Sequence, residues 1–367
     1  FGPAMARIGQ DGDVDMSVIP RTQDAPAISV VLPVFNRRAF LPAALAAIAS
    51  QRVPSLEVIV VDDGSSDGSL AVVEALARDY PHPVRTVAQA NQGAYGARNT
   101  GVAAAQGTYV AFYDSDDVWL SHHLEACLGG LEGNPDVDWV YAACEVVDFP
   151  TGRVLQPDTF REDGRPRPFM SLPHERRGAL HVIAGRSAVR CQIDHGLFCG
   201  LQNSVLRRSV FDRLRFESAS RNEAEDQVFA IRALAAGCRL AYIDAVHVRY
   251  HVHDGNSSAT SASMSLAKRR RVFEPLIAGY QRLEQEVPLC RSDVRALHRR
   301  VSRDLFWQLG YNGYQAAGDH ADALRTYAEA MRWWPWYPRQ WKTSLVALAR
   351  AGTTWHRKIG RPSRTGA

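Results

Sequence analysis

Short runs of aliphatic and β-branched residues alternate, in the first half of the chain, with stretches whose apolar positions recur every three or four residues. Residues 28–33 (Ile-Ser-Val-Val-Leu-Pro), 56–61 (Leu-Glu-Val-Ile-Val-Val) and 109–113 (Tyr-Val-Ala-Phe-Tyr) have the near-continuous apolar texture of strands buried on both faces. Residues 84–87 and 139–147 read as further strands. Between them, residues 40–51 set Leu41, Ala44, Leu45 and Ile48 on one stripe, and residues 69–80 and 122–131 repeat the helical period. Residues 93–106 read as a loop leading into an Ala-rich helix. The alternation β-α-β-α-β-α-β-α-β at short spacing predicts an α/β fold with a doubly wound, Rossmann-like, mostly parallel sheet.

The pattern then weakens. Residues 151–185 carry Pro157, Pro166, Pro168 and Pro173 with mixed charge, and read as loop. Order returns at a strand over 203–206, a helix over 226–236 and a strand over 240–243. Beyond Ser265 the chain reads as all helix, with a helical hairpin, 304–317 and 320–332, around Gly318-Asp319. That hairpin resembles one tetratricopeptide-like unit, but with no second copy a solenoid is not predicted. The expected organisation is a loose polar arm over 1–26, an α/β domain over 27–260 and an α-helical C-terminal region over 261–367. Residues 1–4 look like a remnant before a native start at Met5 and are left out of this reading.

Composition narrows the classes. At 367 residues, 46% hydrophobic and 22% charged, the chain has ordinary globular usage, which argues against a disordered, collagenous or coiled-coil protein. No uncharged apolar run approaches the ~18 residues of a spanning helix. The six cysteines are scattered without a CxxC pair, which argues against a zinc knuckle and favours reduced thiols in a cytoplasmic protein.

Charge is uneven. Residues 265–367 hold 19 Lys and Arg against 8 Asp and Glu, a balance of +11; with a net charge of +4 overall, the rest carries −7. Six of the eight tryptophans lie past residue 300, interleaved with the basic residues. Three readings fit this tail: an interfacial surface for an anionic membrane, an aromatic helical core with solvated basic faces, or a surface for a protein partner or a second copy of the chain. No DNA or RNA motif accompanies the charge, so no nucleic-acid partner is expected.

Three polar clusters follow directly after apolar runs and should converge on the carboxyl-end rim of a parallel sheet. Asp114-Ser115-Asp116 offers two carboxylates two residues apart, a pattern suited to a hard divalent cation; the plainer reading is an acidic turn, with Asp117 capping a helix from Trp119. Asp62-Asp63-Gly64-Ser65 suits a nucleobase N–H or ribose hydroxyl, or a plain Asx turn. Pro33-Val34-Phe35-Asn36 ends the first run. Gln92-Gly93 with Ala97-Arg98-Asn99 brings backbone and a guanidinium to a helix start, where phosphate binds well. Glu225-Asp226 opens another helix, either as dipole-favoured carboxylates or as a general base.

Taken together and in this order, these elements resemble family 2 glycosyltransferases of the GT-A fold, over roughly residues 28–258. The resemblance implies an inverting, metal-dependent enzyme. It would move a sugar from a nucleotide-sugar donor, most commonly a UDP-sugar, to a glycan or lipid-linked acceptor in cell-surface polysaccharide or glycoconjugate synthesis. Pro33, Phe35 and Asn36 would line the nucleobase pocket and Asp63 would contact the base, with Asp62 beside it. Gln92, Gly93, Arg98 and Ser115 would lie along the donor, with Arg98 near its diphosphate. Asp114 and Asp116 would be the DxD pair for ribose and a Mn2+ or Mg2+ ion, with Asp117 close to the same role. Asp226 would deprotonate the acceptor. In the segment 250–258, His253 would complete the metal shell, with His251 as the second choice. The expected place is the cytoplasm, peripheral at the inner face of the plasma membrane. Two other readings remain: a nucleotidyltransferase, which wants a Gly-rich basic loop where Phe35-Asn36-Arg37-Arg38 stand, and an inactive scaffold, against which the intact acidic positions argue.

Overall fold

The computed structural model describes residues 26–183, 185, 187–218, 224–253 and 264–359, with side chains through residue 348. The chain divides into two compact units, one up to Asn256 and one from Ser257.

In the first unit the predicted alternation appears as β1 (Ile28–Val34), α1 (Leu41–Ala49), β2 (Leu56–Asp62), α2 (Ser69–Ala77), β3 (Val84–Ala88), α3 (Ala94–Ala104), β4 (Tyr109–Phe112), β5 (Val118–Trp119), α4 (His123–Glu132) and β6 (Trp139–Asp148). There follow β7 (Val154–Gln156), β8 (Arg161–Glu162), β9 (Arg165–Pro166), β10 (His174–Arg177), β11 (Leu180–Ile183), α5 (Ser187–Asp194), β12 (Ser204–Arg207), α6 (Glu225–Ala235) and β13 (Leu240–Val252). The main sheet runs β10-β11-β13-β6-β12-β4-β1-β2-β3, with β5 on β13 and β7 on β6. Neighbours among β3, β2, β1 and β4 are parallel, as are β6 and β13. β12 lies antiparallel between β4 and β6, so the parallel run expected from sequence is interrupted by one reversed strand.

Successive residues of a strand point to opposite faces, and here both faces are covered. Val30, Leu32 and Val34 of β1 join Leu41, Leu45 and Ile48 of α1 in one core. Val31 joins Ala97 of α3 and Phe229 of α6 in the other. That is why the strands read as unbroken apolar runs. A Cβ on Gly101 of α3 would fall 2.3 Å from Cγ1 of Val31, so glycine lets α3 lie directly against β1.

Several expectations need correction. Residues 151–185 are not simply loop: β7 to β11 form there, and β11 joins the main sheet. These strands are two to four residues long, and β10 reads His-Glu-Arg-Arg, so no period-two pattern reveals them. β13 extends to Val252 through two register shifts rather than ending at Ile243. Trp119, the helix start in the capping reading, instead pairs with Val248 of β13, and Val118 pairs with Arg249. The helix therefore starts at His123, and Asp117 does not cap it.

The second unit is helical: α7 (Leu266–Glu286), α8 (Arg291–Arg303), a π-helical segment Asp304–Gln315, α9 (His320–Trp333) and α10 (Pro338–Ile359). The hairpin around Gly318 is present, with a π-helical first arm. Asp319 caps α9 by accepting the N–H of Asp322 at 3.1 Å. Phe306 stacks on Tyr327 with ring centres 4.1 Å apart, next to buried Leu309. The tail tryptophans divide: Trp307, Trp333 and Trp334 are half-buried, whereas Trp336 and Trp341 are exposed with Leu345 and Leu348. The side chain of Trp355 lies outside the described residues. Among the described residues no helix is long and apolar enough to cross a membrane.

Candidate active site

β4, β1 and β2 are adjacent and parallel, so their carboxyl ends lie side by side, and the polar residues that follow them form one rim. After β1 the chain presents Pro33 half-buried, Phe35 48% exposed, and Asn36 in the left-handed region at φ 53°. Asparagine tolerates that conformation. Its N–H donates to Ser65 Oγ at 2.9 Å and its Oδ1 accepts the N–H of Ser66 at 2.9 Å. Asp62 Oδ1 accepts the N–H of Ser65 at 2.9 Å, closing the turn. The turns after β1 and β2 are therefore one laced unit, with the Phe35 ring open above it.

Asp63 is 2% exposed, and both its oxygens hold the loop that enters α3. Oδ1 accepts from Gln89 Nε2 at 2.7 Å and the N–H of Gln92 at 2.8 Å; Oδ2 accepts the N–H of Gly93 at 2.8 Å. Gly93 has φ 82°, so the turn into α3 is strained for any residue with a Cβ. Asp63 thus holds the 89–93 loop in place through Gln89, Gln92 and Gly93.

Arg98 on α3 is 6% exposed, and its Nη2 lies 2.6 Å from Asp114 Oδ1. Its guanidinium sits 4.7 Å from the centre of the Tyr95 ring. Its buried Nε has no hydrogen-bond partner among the described residues. The Tyr95 hydroxyl accepts the N–H of Asp226, at the start of α6, at 3.2 Å. Burial holds the Asp226 carboxyl above its ordinary range, opposed by the Arg98 charge. Glu225, beside it, is fully buried against Arg232 Nη1 at 2.7 Å, which makes it a structural carboxylate. Sequence reasoning missed Tyr95, although its place one helical turn before Arg98 was visible.

Past β4, Ser115 is buried, and Asp116 and Asp117 meet the end of β13. Asp116 Oδ2 lies 3.0 Å from His253 Nε2. His251 Nδ1 lies 2.6 Å from the carbonyl oxygen of Asp116, so this ring is used on the backbone. The N–H of His251 donates to Asp117 Oδ1 at 3.0 Å, while Asp117 Oδ2 is buried with no partner among the described residues. Burial, with the charges of Asp114 and Asp116, drives the Asp117 carboxyl well above its usual range. Phe40 stacks on the His253 ring with centres 6.0 Å apart, and Phe149 flanks it. Residues 254–258, the rest of the segment singled out in sequence, lie outside the described residues.

The rim thus holds three groups: a laced polar turn under an open phenyl ring, a buried guanidinium between Asp114 and the Asp226 end of α6, and an Asp–Asp–His cluster. Such a set can seat a flat base, pair with phosphate and place a carboxylate base opposite.

Comparison with known proteins identifies the family. The sequence profile described as Glycosyl transferase family 2 matches residues 29–214. An uncharacterized glycosyltransferase of Nostoc sp. is 42% identical over 121 residues, which are 33% of this chain and 37% of that protein. The chain therefore spans well under half of that relative's length. Among solved structures, S. aureus TarS 1-349 in complex with UDP-GlcNAc superposes with a TM-score of 0.59 at 19% identity, covering 83% of this chain and 81% of that one. The mannosyltransferase PcManGT from Pyrobaculum calidifontis in complex with GDP-Man and Mn2+ gives a TM-score of 0.51 at 21% identity, covering 92% and 89%. With a profile that covers half of the chain and begins inside the first strand of the sheet, this protein belongs to glycosyl transferase family 2.

Proposed function

We propose that the chain transfers a sugar from a nucleotide-diphosphate donor, a UDP-sugar in the first instance, to a hydroxyl of a glycan or lipid-linked acceptor in cell-surface polysaccharide or glycoconjugate synthesis, with inversion at the anomeric carbon. The observation that carries this is the Arg98–Tyr95–Asp226 arrangement. It sets a fixed cation and a basic carboxylate near one another at the rim where the donor fold binds nucleotide. The donors held by TarS and PcManGT support the class of donor.

In this reading Phe35 and Pro33 receive the base, and Arg98 pairs with the diphosphate as negative charge builds on it. Asp226 takes the proton of the acceptor hydroxyl, which attacks the anomeric carbon as the carbon–phosphate oxygen bond breaks. A raised pKa makes Asp226 a stronger proton acceptor. One carboxylate is enough for a single displacement, hence inversion.

The residues present fit a divalent cation. Asp116 and His253 bring an oxygen and a nitrogen within 3.0 Å, and Asp117 adds a buried oxygen without a partner. Asp114, Asp116 and His253 would hold Mn2+ or Mg2+. Bound there, the ion would neutralise charge on the leaving diphosphate.

The exposed Trp336, Trp341, Leu345 and Leu348, beside Arg339 and Lys342, support a tail that rests on an anionic membrane surface, where a lipid-linked acceptor would be held. The test is a nucleotide-sugar screen by thermal shift with and without Mn2+, followed by transfer with the donor that stabilises. A true donor at a hundredfold excess over its Kd stabilises by about 2.7 kcal/mol. No stabilisation by any nucleotide sugar would overturn the reading.

A further inference from the structure

Away from the rim, His123, Cys127 and His247 converge in the core between α4 and β13. They are 0%, 0% and 2% exposed. His123 and Cys127 are four residues apart on α4 and so share a face. His247 sits inside a register shift of β13, where a strand turns a side chain out of its regular alternation. His123 Nδ1 lies 3.5 Å from His247 Nδ1 and 3.8 Å from Cys127 Sγ, and the three donor atoms all fall within 4.8 Å of one another.

We propose that His123, Cys127 and His247 form a zinc site, separate from the acidic rim, that fastens α4 to β13. Tetrahedral zinc with Zn–N near 2.0–2.1 Å and Zn–S near 2.3 Å separates its ligands by about 3.3 Å for two nitrogens and about 3.6 Å for nitrogen and sulfur. The two measured separations differ from these by a few tenths of an ångström. As hydrogen bonds, the same contacts are at the long limit, and among the described residues no charged side chain appears in the cluster. Cys127 would bind as thiolate and release its proton to solvent. A nitrogen–sulfur set selects zinc over Mn2+ or Mg2+, which prefer oxygen. His122, whose ring centre is 4.6 Å from that of His247, or a water would take the fourth position.

The site has a purpose in its position. α4 follows the Asp114–Asp117 turn by way of β5, and β5 pairs with β13. His247 lies four residues before His251 and six before His253. Zinc here would fix the two segments that bring Asp116 and His253 together.

The test uses the full chain, stripped with chelator and then titrated with Co2+ and Zn2+. We expect one tightly held equivalent, a thiolate-to-Co2+ charge-transfer band that Zn2+ removes, and a rise in melting temperature of several degrees with Zn2+. Asp116→Asn should keep all three, and Cys127→Ala should lose them, while the control Cys238→Ala behaves as wild type. His247→Ala, read by Co2+ spectrum alone, guards against a folding defect in the Cys127 variant. No thiolate band in wild type, or a band that survives in Cys127→Ala, would overturn the proposal.

Discussion

The Tyr95 hydroxyl accepts the backbone N–H of Asp226 at 3.2 Å, although 131 residues separate the two in sequence. Through Tyr95 the helix that carries the buried guanidinium also sets the start of the helix that carries the candidate base. Asp226→Asn keeps the size of the side chain and removes its basicity. Transfer should fall about 10²–10⁴-fold while donor binding is kept. Equal losses in nucleotide binding and transfer would place Asp226 on the donor side or in a structural role. Tyr95→Phe removes one hydrogen bond worth about 1 kcal/mol, so a loss of about fivefold in kcat with little change in donor Kd is expected.

Chelation by EDTA should abolish transfer, and Mn2+ or Mg2+ should restore it, if the 3.0 Å pair of Asp116 and His253 holds the proposed cation together with Asp114. Asp116→Asn should weaken nucleotide binding in Mn2+, and His253→Ala should do the same to a lesser degree. Asp79→Asn, at an exposed position in the turn after α2, is the control. Full activity in chelator would remove the cation from the mechanism.

Asp63→Asn replaces an oxygen that accepts N–H groups with an amide NH2. At least one of the bonds to Gln89, Gln92 and Gly93 must break. The expected cost is about 1–3 kcal/mol in urea unfolding, with weaker donor binding because the 89–93 loop loosens. A variant with wild-type stability would show that the loop is held by other contacts.

Burial pushes the Glu225 carboxyl up to about 7 from its ordinary 4.5, opposed by the N–H of Glu217 and the charge of Arg232. The folded state then holds this proton more tightly than the unfolded chain. The corresponding stability is fully present below pH 4.5 and lost as pH rises through about 7. Relative to Glu225→Gln, the wild type should lose up to about 3 kcal/mol across that window. Parallel stability curves for the two proteins between about pH 4.5 and about pH 8 would refute the assignment.

The tail prediction concerns lipid. Residues 265–367 carry a balance of +11, and each Lys or Arg near an anionic surface contributes about 1 kcal/mol. The protein should sediment with anionic vesicles, less with neutral ones, and less again at high salt. Trp341→Ala with Leu345→Ala should weaken binding. Binding that ignores lipid charge would leave these exposed side chains to a protein partner or a second copy of the chain.

The amino-acid sequence alone determined the layered architecture. Strands such as 56–61 must be apolar throughout because both faces of a parallel sheet are covered, and that requirement is written in consecutive residues. It also determined that the polar turns after Val34, Val61 and Phe112 emerge at one edge, because parallel neighbours end side by side. The strands in 151–185 left no such trace: they are two to four residues long, too short to show a period, and β8, β9 and β10 are polar or charged and held by pairing rather than by an apolar face. The reversal of β12 is equally invisible locally, since a strand buried between two others reads the same in either direction. Only the tertiary structure decided which groups meet: Arg98 with Asp114, Asp63 with the 89–93 loop, Asp116 with His253, and His123 and Cys127 with His247. Each joins residues from separate elements, and local periodicity constrains a residue's face but not the partner that the rest of the chain brings to it.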